Sequence, residues 1–465
     1  MNIVATIALV TFPILALVLY STKPVSQATI LTFVCGHLLL PVGAVIKFEM
    51  IPPFDKNSIA SFAALMGCLL SARRPSVGPQ KFGLVEILIV AFLIGPFITA
   101  ELNTDPVFVG GTMLPASDLY EALSSVENAF IFLIPFFLGR YFLRDASDIE
   151  TILRTLVVAW LIYSLPILFE WRMSPQLHTW FYGYSQGLNT EVRGGGMRPR
   201  VFVGNGLLLT FYEMTAVVAA AALWKTRIRV LNLSSTGVTA YLFVVLSICR
   251  SLGSLIYGII LVPLVRFTKP QFQVRFAAAL VILALLYPTF RTAKLFPTQT
   301  LIEFANRISP ERSRSLAYRF IQEDQLLQHE SERFFFGWGR FGRSRVLGED
   351  GVDHSVTDGA WIATMGQFGF VGFLAQFGLI AMGVFRTVSA FKLVNSERHR
   401  VLLAAMALIV AINLVESLPN APITPWTFLL AGALLGRTEA IRVAPRQKNK
   451  INSRVKLQQF ERGIS

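Results

Sequence analysis

The groups in this chain best suited to chemistry are arginines and carboxylates gathered in a few polar stretches. Arg172, Arg193, Arg198 and Arg200 crowd residues 172–200, and Arg312, Arg314, Arg319, Arg333, Arg340, Arg343 and Arg345 crowd residues 291–358. A guanidinium fork makes paired, charge-assisted hydrogen bonds to phosphate oxygens that a lysine does not reproduce, so a diphosphate is the natural ligand class. Most arginines near a membrane interface serve solubility or snorkelling, and about two or three of these are expected to touch a ligand. For acid–base work the second stretch offers Asp353, His354 and Asp358. His354 and Asp358 are i, i+4, so on a helix they would share a face, where either side chain could take a proton from a hydroxyl.

Other chemistries are excluded. GWGRFG at 337–342 has the glycine spacing of a dinucleotide-binding turn, but no strand precedes Gly337 and no βαβ unit fits there. Cys35, Cys68 and Cys249 lie in apolar runs without CxxC or Cys/His spacing, so neither a disulfide framework nor a metal site is expected. No cofactor is implied.

The elements that must position these groups are transmembrane helices. The 465 residues are 54% hydrophobic and only 15% charged, with a mean hydropathy of +0.57. A soluble domain carries roughly a quarter charged residues, so the chain reads as an all-α polytopic membrane protein. About 20 mainly apolar residues make a span. Thirteen candidates (12 to 14) are 3–20, 28–46, 59–70, 82–102, 123–143, 151–170, 201–224, 236–249, 252–265, 276–290, 359–385, 401–418 and 425–435. The first lacks a basic leader and a cleavage site and is expected to be retained.

Lys and Arg of the short loops alternate with these spans. Lys23, Arg73, Arg74 and Lys81, Arg140 and Arg144, Lys225, Arg227 and Arg229, Arg266, Lys269 and Arg275, and Arg386 to Arg400 all fall on one side, which is therefore cytoplasmic. The net charge of +14 thus reflects orientation, with no nucleic-acid partner implied. Residues 47–58, 103–122, 172–200 and 291–358 fall outside; the last should form a folded, mostly helical periplasmic lobe. In it Ser309, Pro310 and Glu311 predict the start of a helix running through Arg319 to about Arg333, stopped by the glycines of GWGRFG. The chain divides into N-terminal spans (1–150), a core (151–436) and a basic tail (437–465). The tail holds eight Lys/Arg against two Glu and suits a solvated or lipid-surface position.

Ionisable groups at membrane depth cost at least a few kcal/mol unless paired or in a wet cavity, so each is a candidate site residue. Glu213, Arg250, Glu127 and Glu416 qualify; for Glu213 the alternative is a structural pair with an arginine. A lone histidine such as His37 or His178 is a structural residue in the first instance.

These residues resemble the O-antigen polymerase and O-antigen ligase superfamily of bacterial inner-membrane glycosyltransferases. Its pattern has an external helix led by an arginine, a G-x-G stop, then a His at the start of a span with a G-x-x-G turn. Here Arg319 precedes Gly337-Trp338-Gly339 by eighteen residues, and Gly369-Phe370-Val371-Gly372 supplies the turn. GGGMRPRVFVGNG, with Arg198 fitting best and Arg200 next, resembles the family's arginine before a span, and SICRSLGS around Arg250 its short-helix segment. The likeness covers about 150–420. Counted back from Gly369, the family's His position holds Asp358, and His354 lies one turn earlier; either is the expected base.

The resemblance implies glycosyl transfer at the periplasmic face from an undecaprenyl-diphosphate-linked glycan donor to a glycan acceptor, without metal or nucleotide sugar. Arg198, Arg319, Arg200 and Arg250 would hold the diphosphate, with Glu213 and Glu416 in support. The leading expectation is polymerisation of repeat units for O-antigen, capsule or exopolysaccharide, alongside a chain-length regulator and a flippase. The alternatives are a ligase delivering polymer to lipid A-core, and a flippase or other transporter.

Overall fold

The computed structural model describes residues 2–48, 51–71, 82–184, 187, 191–193, 195–420 and 423–462. Arg73, Arg74 and Lys81, the Arg193 side chain and the tail side chains beyond Val443 lie outside the described residues.

Sixteen α-helices follow one another: α1 (Ile3–Thr22), α2 (Val25–Leu39), α3 (Lys56–Ser71), α4 (Leu84–Glu101), α5 (Leu119–Phe142), α6 (Ala146–Met173), α7 (Leu177–Tyr182), α8 (Gly206–Lys225), α9 (Ser235–Ile248), α10 (Leu252–Phe267), α11 (Pro270–Thr292), α12 (Thr298–Ile308), α13 (Pro310–Glu330), α14 (Ala360–Ala390), α15 (Glu397–Glu416) and α16 (Pro425–Arg462). Every stretch expected to span contains a helix. Among the described residues eight helices, α1, α4, α5, α6, α8, α11, α14 and α15, are long and apolar enough to cross a membrane; α2, α9 and α10 are shorter apolar helices. The span expected at 28–46 stops at Leu39, because Pro41 disfavours helical backbone before it and Gly43 turns the chain at φ +77°. Three two-stranded hairpins, at 46–54, 107–114 and 192–197, punctuate the helices in stretches expected outside.

α8 and α15 form the centre, nearly enclosed by their neighbours. α16 packs along α5 and α14 along α4, so helices from both sides of residue 150 share one core cluster. The α5–α16 contact is a close backbone approach: a Cβ at Gly432 or Gly436 would strike the backbone of Phe136 or Arg140. Small residues four apart allow such proximity between helices whose lipid-facing sides gain nothing from water exclusion. At one end of this pair Arg140 bridges Glu86 on α4 and Glu439 on α16, both at 2.8 Å.

α14 is not one straight rod. Gly369 sits at φ +65°, ψ −168°, so the helix that begins at Ala360 breaks and restarts. The break strands carbonyls and amides that a continuous helix would pair, and in a bilayer each orphan costs several kcal/mol. Phe334 to Gly339, the stretch ending in the G-W-G, supplies the partners. Trp338 N donates to Gly366 O (2.8 Å) and Gly339 N to Gln367 O (2.9 Å), while Phe370 N donates to Phe334 O (2.8 Å) and Val371 N to Phe335 O (3.1 Å). Gly337 (φ +70°) and Gly369 face each other; a Cβ on Gly337 would lie 2.6 Å from Gly369 N.

Gly369→Ala meets both an unfavourable φ and the Phe335 backbone, and should destabilise the chain by more than about 3 kcal/mol. Gly253→Ala, with open space around its Cβ, should change stability by under about 1 kcal/mol. Thermal unfolding of the purified chain in detergent checks both; equal melting temperatures would contradict the docking described.

Candidate active site

α13 begins at Pro310 after Ser309, as its sequence indicates, and ends at Glu330 ahead of a short 3-10 turn. Arg291 at the end of α11 fixes this helix from below. Its guanidinium reaches Glu323 (3.0 Å), Asp324 (2.9 Å) and Phe320 O (3.1 Å), and Tyr287 OH donates to the same Glu323 carboxylate (3.0 Å). Burial raises the Glu323 carboxyl above its ordinary range against the opposing pull of Arg291. The GWG docking fixes the helix from the other end.

Arg319 is thereby held over a cavity of about 220 Å3 between α10, α11, α13 and α15. Its walls include Tyr257, Leu283, Phe296, Val356 and Leu418, with Arg319, Glu323 and Asp358 as the ionic groups. Arg319 Nε pairs with Asp358 Oδ2 at 3.1 Å, and Nη1 donates to Asn420 Oδ1 (3.0 Å). Asn420 Nδ2 in turn donates to Glu416 Oε1 (3.0 Å), a carboxyl that is 5% exposed. Asp358 is pinned from both sides along the chain: Val356 N donates to Gln322 Oε1 on α13 (2.9 Å), and Ala360 N to Ser417 O at the end of α15 (2.9 Å). Both partners of the ion pair remain partly open, at 30% and 44% side-chain exposure, so an incoming anion can compete for the guanidinium.

His354 lies elsewhere. The expected shared helical face does not exist, because residues 352–358 are irregular and α14 starts at Ala360. Asp353 accepts from Ser355 N and Oγ (2.9 and 2.7 Å), a local turn that competes with helix. His354 Nε2 sits 3.0 Å from Asp350 Oδ2 with both side chains mostly exposed. Bonds from Val352 N and His354 hold the Asp350 carboxyl below its usual range.

The other expected phosphate ligands form a second group. Arg198, 4% exposed, pairs with Glu191 at 3.3 Å, and Glu191 also accepts from Gly206 N. Arg200, 2% exposed, has its backbone N on Glu170 Oε2 (2.9 Å) beside Val201 N (2.7 Å). Arg250, at φ +56°, packs its guanidinium against Gly196 of the 192–197 hairpin. None of the three lines the Arg319 cavity. They tie the 191–200 segment to the end of α6 and the starts of α8 and α10. Glu213 is fully buried on α8 with no hydrogen-bond or ion-pair partner among the described residues, so the pairing with an arginine that was its alternative is not found there.

The lobe's arginines sort similarly. Arg343, 2% exposed, donates to Trp338 O, Asp105 O, Pro115 O and Asn103 Oδ1, tying the lobe to the 103–118 loop. Arg333 lies over the Trp338 ring at 4.6 Å, and Arg340 donates to Ser124 (3.1 Å). Among the described side chains of the eleven arginines in residues 172–200 and 291–358, Arg319 alone lines this cavity.

Sequence reasoning missed Arg291, Glu323, Asn420 and Glu330. The Glu330 side chain is 2% exposed, lies against Gly366 and Ser344, and has no hydrogen-bond partner among the described residues. Burial, with the nearby Glu323 carboxylate adding to it, pushes its carboxyl well above the usual range, which favours its neutral form in the folded chain. Stability from such a group is complete below the unfolded carboxyl value of about 4.3 and falls as pH rises toward the folded value. Glu330→Gln should therefore melt progressively above the native chain as pH increases, by up to about 1.4 kcal/mol per pH unit in that window. Thermal unfolding at pH 5 and pH 8 checks this, and a pH-independent difference would contradict it. Among known proteins, no family model matches this chain, and a search of curated proteins returns no match.

Proposed function

We propose that this chain is a polymerase of undecaprenyl-diphosphate-linked oligosaccharide repeat units, working at the outer face of the bacterial inner membrane in O-antigen, capsule or exopolysaccharide synthesis. The reading takes all thirteen apolar stretches as spans. It puts the Arg319 end outside because the Lys/Arg-rich short loops lie at the opposite ends of the helices.

The observation that carries it is the Arg319–Asp358 pair at a cavity with largely apolar walls. Three requirements of this transfer meet there: a guanidinium for a diphosphate, a carboxylate for a hydroxyl proton, and apolar surface for a polyprenyl chain. A diphosphate oxygen displaces Asp358 from Arg319, and the freed carboxylate faces the reacting centre. Asp358 takes the proton of the acceptor hydroxyl as its oxygen bonds to the anomeric carbon of the donor sugar. The bond from that carbon to the diphosphate breaks, and the polyprenyl diphosphate departs with its added negative charge stabilised by Arg319. Asn420 and Glu416 keep the guanidinium at the cavity while its carboxylate partner changes. His354, turned to Asp350, has no step in this scheme.

Membranes supplied with lipid-linked repeat units should form ladders on undecaprenyl diphosphate. Arg319→Ala and Asp358→Asn should each lower turnover by at least about a hundredfold at normal expression, with His354→Ala within about threefold of native. Transfer to lipid A-core in place of ladder growth would assign the ligase reaction. Movement of the donor across vesicles without a glycosidic bond would refute enzyme function.

A further inference from the structure

The cavity at Asp358 has a counterpart on the other side of the start of α14. Gly359 lines the first and Ala360 the second, which lies between α4, α5 and α14 and measures about 210 Å3. The two differ in chemistry. The first carries Arg319, Glu323 and Asp358; in the second, apart from Arg340, the polar lining is neutral and dominated by Asn128, Gln367 and Gln376. A carboxamide presents donors and an acceptor together, which suits sugar hydroxyls and offers little to a diphosphate.

Among the described residues these amides have few protein partners of their own. Gln376 Oε1 meets the Thr364 hydroxyl at 3.0 Å. Among the described residues nothing accepts from its nitrogen, and nothing pairs with the side chains of Asn128 or Gln367. Polar groups within apolar helices that face a shared cavity mark a candidate ligand path. Phe92, Phe132 and Phe368 add aromatic faces to the same walls. α4 forms one wall and exposes Ile87, Val90 and Ile94 on its other face, an apolar surface beside the cavity for a carrier chain. The volume lies under the roughly 300 Å3 of ordinary small-molecule clefts, which suits a single sugar ring.

We propose that this second cavity binds the terminal sugar of the lipid-linked acceptor glycan and delivers its hydroxyl past Ala360 toward Asp358. The proposal rests on the glycosyl-transfer reading above for the role of the sugar. The geometry of the cavity stands independently of that reading.

A Cβ at Gly95 on α4 lines this cavity and meets no heavy atom within 4 Å, so Gly95→Leu fills it without a clash at the backbone. The full chain in a non-glycosidic detergent is labelled with an alkyl glucoside bearing a diazirine, and the labelled peptides are mapped by mass spectrometry. Label is expected on α4, α5 and the first half of α14, unchanged by excess polyprenyl diphosphate and reduced about tenfold or more by Gly95→Leu. In the membrane assay the same variant should raise the acceptor KM about tenfold and leave the donor KM unchanged. Should Gly95→Leu fail to fold, Gln367→Leu with Gln376→Leu carries the test. Labelling that ignores both variants, or that polyprenyl diphosphate displaces, overturns the proposal. Labelling as expected in a chain that forms no glycosidic bond upholds the sugar site and removes the transfer reading. Transfer with an unchanged acceptor KM in the filled variant overturns the site and leaves the transfer reading intact.

Discussion

The arrangement of α13, α14 and the loop between them depends on four backbone hydrogen bonds between Phe334–Gly339 and the broken helix at Gly369. A helix interrupted at membrane depth is tolerated only where its freed amides and carbonyls find other partners. Here an incoming loop pairs with them directly, and two glycines at positive φ allow the backbones to touch. The same contact settles where α13 ends, and through it where Arg319 stands. It also keeps the short first half of α14 separate from the second, so that this half is flanked by two cavities.

The second constraint is the sharing of Arg319. Its guanidinium is held by Asn420, behind which stands the buried Glu416, and its remaining valence goes to a half-open Asp358. In the proposed function this carboxylate stands in for an anionic ligand: it satisfies the arginine when no ligand is bound and would yield to a stronger anion. By contrast Arg198 and Arg200 are almost wholly enclosed. A guanidinium already desolvated and paired, as Arg198 is with Glu191, offers its fork to the fold. Burial thus separates the half-open Arg319 from the enclosed Arg198 and Arg200 where composition could not.

Much of this was legible in the sequence. The apolar stretches gave the helices, Ser309-Pro310 marked the start of α13, the G-W-G marked its end, and Arg319 and Glu416 stood out by residue type and place. What was hidden is long-range. Nothing local says that Gly337 packs on Gly369, or that Asn420 meets an arginine 101 residues away. The shared face expected for His354 and Asp358 failed for a local reason: the Asp353–Ser355 turn draws the backbone out of helix before Asp358. Five stretches read as spans, those of α2, α3, α9, α10 and α16, are not among the eight helices of the described residues that are both long and apolar enough for a lone crossing.

The central claim is that Asp358 occupies the place of a diphosphate on Arg319 and acts in transfer only once displaced. The most direct measurement is equilibrium binding of polyprenyl diphosphate to the purified chain and to Asp358→Asn. The account expects the variant to bind at least as tightly as the native chain, because a competing carboxylate is gone, while its glycosyl transfer is lost. Weaker binding, falling in step with the loss of transfer, would make Asp358 part of the diphosphate site and contradict the account.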